Sequence, residues 1–243
     1  MTNRIRADQL LVKRGLAESR ARAQAAIEAG LVVADGIVVK KPSQPLAADA
    51  ELKAVPAHPY VSRGGVKLAA GLDHFQFDPK GKVCLDVGAS TGGFTEVLFE
   101  RGAKKVFAVD VGRDQLHPSL RGHPGIVSLE QRDARALDRN LVPDLVDLIV
   151  ADVSFISLKL VLPTALRLAA PRARLIALIK PQFEAGREQV QKGIVRDEIV
   201  HAEVCESIRN FIAQFGWHVL GVTPSPIKGG DGNREFLIGA KRD

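Results

Sequence analysis

From residue 82 onward, short apolar runs alternate with amphipathic stretches. VCLDVG, KVFAVDVG, GIVSLE, VDLIVADV and ARLIALIKP have the length and composition of buried strands, and FTEVLFERG and LKLVLPTALRLAA between them read as helices. Pro163 inside the second of these predicts a first-turn position or a kink. The alternation predicts an α/β fold in which a doubly wound, Rossmann-like sheet is covered on both faces. The rhythm then changes. HAEVCESIRNFIAQFG is helical, and WHVLGVTPSPIKGGDGNREFLIGAK reads as two strands bracketing a glycine-rich turn, which adds an antiparallel hairpin to the sheet.

The first 60 residues follow another pattern. Leu10 and Leu11 belong to a short helical segment closed by Gly15. Ser19 is placed to N-cap SRARAQAAIEAG, whose stop is Gly30. LVVADGIVVK predicts two strands joined by Asp35-Gly36, because a type I′ turn needs positive φ at both central residues. In KPSQPLAADAELKAVPAHP four prolines (Pro42, Pro45, Pro56, Pro59) suggest an extended or turn-rich junction. The expected domains are therefore 1–60, a small α+β unit, and 61–243.

The composition narrows the classes. The chain has 243 residues, 46% of them apolar, and a formal charge of +6. Nine basic and six acidic residues give the first 60 residues a net +3, half of the excess in a quarter of the chain. Cys84 and Cys205 lack CxxC spacing and the six histidines form no HExxH cluster, so neither a disulfide scaffold nor a metal site is expected. The N-terminal stretch has no apolar signal core and no run approaches the ~18 apolar residues of a membrane span. A cytoplasmic monomer is the expected form.

Candidate chemistry lies in the loops after the strands. The first strand runs into Asp86-Val87-Gly88-Ala89-Ser90-Thr91-Gly92-Gly93, where Gly88 and Gly92 would let a ligand approach the backbone. Neither GxGxxG nor GxxxxGK[ST] is present, which disfavours a dinucleotide or P-loop site. Asp86 would repel a pyrophosphate but can accept from an ammonium group. Asp110, 22 residues after Gly88, has the spacing of an acid that grips ribose hydroxyls, and Asp133 follows the third strand beside the expected base. These groups suit S-adenosyl-L-methionine better than NAD, and a plain turn with capping Asp and Thr is the alternative. Asp152, Lys180 and Glu235 are polar where apolar runs end or begin. Asp152 and Lys180 fall on the same rim as Asp86 and Asp110, although a helix cap, a solvated lysine and an exposed strand-opening Glu would account for the three singly. By local pattern Lys67 is a solvent-facing helix residue.

Six segments carry a wider resemblance: YVSRGGVKL, LDVGASTGGFTEVL, AVDVGRDQL, ADVSFISLKLVLP, LIKPQFEAGREQVQKGIVRD and SPIKGGDGNREFL. Together they resemble the TlyA family of ribosomal RNA 2′-O-methyltransferases, whose catalytic domain is similar to FtsJ-type RNA methyltransferases. RADQLLVKRGLAESRARAQAAIEAGLVVADGIVVKKPS resembles the S4-like RNA-binding domain that this family carries. The resemblance implies a catalytic tetrad of Lys67, Asp152, Lys180 and Glu235 and a cofactor site at Asp86, Gly88, Ser90, Gly92, Asp110 and Asp133. It departs from the family at Asp133, where Asn is common, and at RADQLL, where Arg-Leu-Asp is usual.

The implied reaction transfers a methyl group from S-adenosyl-L-methionine to a ribose 2′-hydroxyl of ribosomal RNA, at a cytidine by the family's pattern. Positioning and partial deprotonation of a poor nucleophile are its two problems. Lys180 is the expected proton acceptor or polarising group. It must be neutral part of the time, a state favoured by burial and by a second cation at Lys67, while Asp152 and Glu235 hold the ammonium groups. Arg4, Arg6, Arg14, Arg20 and Arg22 are expected to contact RNA phosphates, and Arg187, Lys192 and Arg196 could extend that surface. Two other readings are a non-catalytic RNA-binding ribosome-assembly factor and a haemolysin. The absence of a membrane-length apolar run gives the haemolysin no physical support.

Overall fold

The computed structural model describes residues 4–229 and 232–243; part of the expected glycine-rich turn lies outside the described residues. The chain divides between Pro59 and Tyr60 into two compact units.

In the first unit, strand β1 (Arg4–Arg6) leads into helices α1 (Ala7–Lys13) and α2 (Arg20–Glu28). Strands β2 (Val32–Ala34), β3 (Ile37–Val38), β4 (Pro45–Ala47) and β5 (Leu52–Ala54) follow. Ser19 caps α2, its Oγ accepting from the Arg22 amide at 3.3 Å. Asp35 and Gly36 both have positive φ, 49° and 77°, so β2 and β3 form the expected hairpin. The proline-rich stretch is not a bare junction. It supplies β4, which pairs antiparallel with β1, and β5, which pairs with β2. Pro45 is tolerated because it opens a strand in a two-stranded sheet, where its missing N–H costs little. Leu10, Leu11, Ala23, Ile27, Val32 and Leu46 close a core of this unit's own.

The second unit opens with α3 (Arg63–Phe75) and continues with β6 (Val83–Val87), α4 (Gly93–Glu100), β7 (Lys105–Val109), β8 (Ile126–Leu129) and β9 (Val146–Ala151). Then come α5 (Leu158–Arg167), β10 (Ala169–Ile179), α6 (Pro181–Glu184), α7 (Glu198–Gln214), β11 (His218–Pro224) and β12 (Phe236–Lys241). The seven strands lie in the order β11-β12-β10-β9-β6-β7-β8. The five from β8 to β10 are parallel, whereas β12 runs antiparallel to both β10 and β11. The expected terminal hairpin is thus inserted with its second strand inside.

Alternation along each strand feeds two apolar layers. Leu85, Val87, Phe107 and Ile149 pack towards α5 and α7, and Cys84, Val106, Leu148 and Val150 pack towards α3 and α4. Burying each leucine-sized side chain contributes roughly 1.5–3 kcal/mol, so both layers are strongly held. Pro163 lies in the interior of α5, neither in its first turn nor at its end. Lacking an N–H, it leaves the Lys159 carbonyl without its usual helical donor.

Candidate active site

The strand order reverses direction beside β6, whose neighbours are β7 and β9. Ligands of open α/β sheets settle beyond the carboxyl ends of the strands at such a point. A cavity of about 480 Å³ lies there, walled by Gly88, Ser90, Asp110, Val111, Asp133 and Asp152 among others. Its size suits a small organic ligand. Gly88 is required: its φ is +86°, and a Cβ would stand 2.5 Å from the Asp152 carbonyl oxygen. Asp110 ties the rim together, accepting from the Ser90 amide at 2.8 Å and from the Gly112 amide at 2.7 Å.

Two expected cofactor residues lie off this wall. Asp86 is fully buried and, by strand alternation, points to the α4 face, where Thr95 Oγ1 donates to it at 2.7 Å. Burial raises its carboxyl to a pKa of about 7, the Thr95 bond opposing and the Asp152 charge assisting. Its Oδ1 has no hydrogen-bond partner among the described residues. Gly92 serves packing: with φ +94° it lets Leu120 and Leu116 close on the loop, where a Cβ would meet them at 2.5 and 2.7 Å. Asp133 does reach the wall, but Arg135 holds its carboxylate at 2.6 Å and pulls its pKa down to about 2.

The four tetrad residues form two pairs. Lys180 Nζ stands 2.5 Å from Asp152 Oδ1 and donates to Ser154 Oγ at 2.9 Å; Asp152 and Ser154 both belong to the cavity wall. Lys67 Nζ donates to Glu235 Oε2 at 2.6 Å. Lys67 is buried, contrary to its local pattern, because it sits beside Leu68 and one turn before Gly71 on the face of α3 that packs on the sheet. Each lysine is held by its own carboxylate, an arrangement the sequence pattern does not reveal.

Other residues of the site leave little trace in the sequence. Phe155, 90% exposed, has φ +65° and meets Phe183 with ring centroids 5.1 Å apart at the cavity rim. Glu184 accepts from Ser157 Oγ at 2.5 Å and from the Leu158 amide at 2.7 Å, which fastens the loop after β9 to the segment after β10. Burial raises its carboxyl. Glu130 accepts from three successive amides, Asp114, Gln115 and Leu116, at 2.7–2.9 Å, and so shapes the turn whose Leu116 packs on Gly92. The one legible signal among the unforeseen partners is the Asp-x-Arg spacing of Asp133 and Arg135.

In the first unit, Arg4 is exposed on β1. Arg14 donates to the Ala48 carbonyl at 2.5 Å, and Arg22 lies 3.5 Å from Glu18. Arg6 and Arg20 both bind Asp8, whose carboxyl Arg6 above all holds well below the usual carboxylate range. Arg187, Lys192 and Arg196 lie in the segment between α6 and α7.

Sheet order, glycine loop and acid-lined cavity define a doubly wound enzyme built to hold a nucleoside-type cofactor. Residues 60–242 match the FtsJ-like methyltransferases and residues 5–52 match the S4 domain. The chain belongs to the FtsJ-like methyltransferase family. It is 44% identical over 241 residues to the 16S/23S rRNA (cytidine-2′-O)-methyltransferase TlyA of Mycobacterium tuberculosis, covering 98% of this chain and 90% of that protein. It is 39% identical over 235 residues to Hemolysin A of Brachyspira hyodysenteriae, covering 96% and 98% of the two chains. A solved Streptococcus thermophilus protein given a hemolysin label superimposes with a TM-score of 0.79 at 41% identity, covering 100% of this chain and 90% of its own.

The protein is an S-adenosyl-L-methionine-dependent methyltransferase. The wall fits that cofactor: Gly88 gives close backbone approach, Asp110 keeps acceptor capacity for ribose hydroxyls, and Val109, Val111 and Ile156 offer apolar surface to a purine. No helix of the described residues is long and apolar enough to cross a membrane.

Proposed function

We propose that this enzyme methylates the ribose 2′-hydroxyl of a cytidine in ribosomal RNA, with Lys67, Asp152, Lys180 and Glu235 as its catalytic groups. The observation that carries the reading is the Lys180–Asp152 pair at the cavity wall, where one residue adjoins the cofactor space and its partner offers an amine. The M. tuberculosis relative's name supports ribosomal RNA and cytidine, and the S4 match supports an RNA partner.

The cofactor supplies an electrophilic methyl group on a sulfonium. Asp110 would hold the cofactor ribose, and Asp133, steadied by Arg135, would meet the base. Asp152 and Ser154 fix Lys180 Nζ, and Lys180 polarises the 2′-hydroxyl as an ammonium or, when neutral, takes its proton. Lys67 and Glu235, paired between α3 and the entrance of β12, complete the tetrad. Phe155, exposed beside the cavity, presents a ring on which a nucleobase can stack, an interaction worth about 1–3 kcal/mol. The arginines of the first unit engage phosphates.

The test incubates the full chain with methyl-labelled S-adenosyl-L-methionine and separate small and large ribosomal subunits lacking the modification, then maps ribose methylation by mass spectrometry. A 2′-O-methylcytidine is expected. Label on a base, or none on either subunit, overturns the proposal.

A further inference from the structure

We infer that Asp8 is a positioning residue for RNA: a buried carboxylate that fixes Arg6 and Arg20 as a paired phosphate grip. The inference rests on the RNA-binding reading of the first unit and adds what makes that surface specific in geometry.

Asp8 has no solvent exposure, so it presents no negative charge directly to a ligand. Arg6 on β1 donates to it from two nitrogens, Nε and Nη2, at 3.0 Å each. Arg20, which opens α2, donates to Oδ2 at 3.0 Å. Gln24, one turn further along α2, donates to the same oxygen at 3.0 Å, and the Gln9 amide donates to Oδ1 at 2.9 Å. A single carboxylate thus gathers groups from β1, α1 and α2.

The two arginine side chains remain 42% and 54% exposed. They lie over the carboxylate and keep donors that Asp8 does not use, since a guanidinium carries five N–H groups. Both forks share Oδ2, so the two cations are held close together at a fixed separation. A phosphate meets a preformed pair of planar donors and need not order two long side chains.

Charge counting gives the opposite expectation. Asp8 cancels one of two positive charges, so on net charge alone its removal should tighten binding to a polyanion. Preorganisation predicts that its removal weakens binding although the unit becomes more positive. The sign of the effect separates the two accounts.

The test measures binding of the full chain to labelled 16S and 23S rRNA transcripts over a salt series, for wild type and Asp8→Asn. Binding by the variant is expected to be weaker by on the order of tenfold, with the logarithmic salt slope reduced by about 0.7–0.9 for each phosphate that is no longer neutralised. In an Arg6→Ala/Arg20→Ala background, Asp8→Asn should have no further effect, which a general loss of structure would not reproduce. Unchanged or tighter binding by Asp8→Asn overturns the inference and leaves the RNA-binding reading intact. Failure of the wild-type chain to bind either transcript overturns both. If circular dichroism shows the first unit of Asp8→Asn unfolded, Arg20→Lys decides: it keeps the charge and loses the fork. Several-fold weaker binding is expected, and wild-type affinity overturns the grip.

Discussion

The two lysine–carboxylate pairs of the proposed active site are nearly equal in length and differ in what covers them. Lys180–Asp152 joins the ends of β10 and β9, with side chains 11% and 18% exposed and one partner in the cavity wall. Lys67–Glu235 joins α3 to the entrance of β12, with side chains 9% and 2% exposed. Gly229 leaves room for the Glu235 carboxylate, into which any Cβ at that position would project. A pair at a cavity can exchange a protein contact for one with substrate. A pair closed in by backbone holds its lysine whether or not a ligand is present, and removing one partner strands a charge.

The largest effect expected is on chemistry at the open pair. Lys180→Ala should lower the single-turnover rate of methyl transfer by roughly 10²–10⁴-fold, while calorimetry finds S-adenosyl-L-methionine affinity within about threefold of wild type, because Lys180 is not part of the cavity wall. Wild-type turnover in this variant would remove the proposed division of labour between the pairs.

The next effect is on stability and should fall on the closed pair. Glu235→Gln leaves Lys67 buried without its counter-ion and should cost about 3–5 kcal/mol in urea unfolding of the second unit. Asp152→Asn should cost clearly less, because Lys180 keeps its bond to Ser154 and Asp152 borders the cavity, whereas Glu235 is enclosed. Equal losses in the two variants would show that cover is not what separates them.

This contrast also marks what is legible in the sequence. Alternation of apolar strands with amphipathic helices is readable because its period is local, and so is the Asp35-Gly36 turn, whose chemistry demands positive φ. Strands β4 and β5 are obscured: three residues each, amid prolines, they exist because β1 and β2 offer edges distant in sequence. The burial of Lys67 is unreadable from α3 alone, since its partner lies 168 residues away. Asp86 reads as facing the cofactor from its place at the loop entrance; its carboxylate is buried on the α4 side, where it accepts from Thr95, a contact the loop pattern does not reveal. Glu130 and Glu184 act on backbone amides, which leave no trace in side-chain patterns.

Asp86 sharpens the comparison, being as buried as Glu235 but, among the described residues, without a lysine partner. Among the described residues Thr95 donates to it, and its pKa rises to about 7. For an acid so raised, the folded state holds the proton more tightly than the unfolded chain, whose carboxyl stays near 3.8. The stabilising contribution is complete below about pH 4 and is lost as pH rises towards 7, with a slope of at most about 1.4 kcal/mol per pH unit. Asp86→Asn removes that slope, so urea midpoints of variant and wild type should diverge in the variant's favour between about pH 5 and 7 and run parallel above it. Parallel curves across the whole range would mean that Asp86 is ionised at neutral pH in the folded protein. A further cation or donor would then serve it as Lys67 serves Glu235. Repeating the series with saturating S-adenosyl-L-methionine tests the cofactor ammonium in that role: if it reaches Oδ1, it stabilises the charged form and flattens the wild-type slope, while the Asp86→Asn curve keeps its shape.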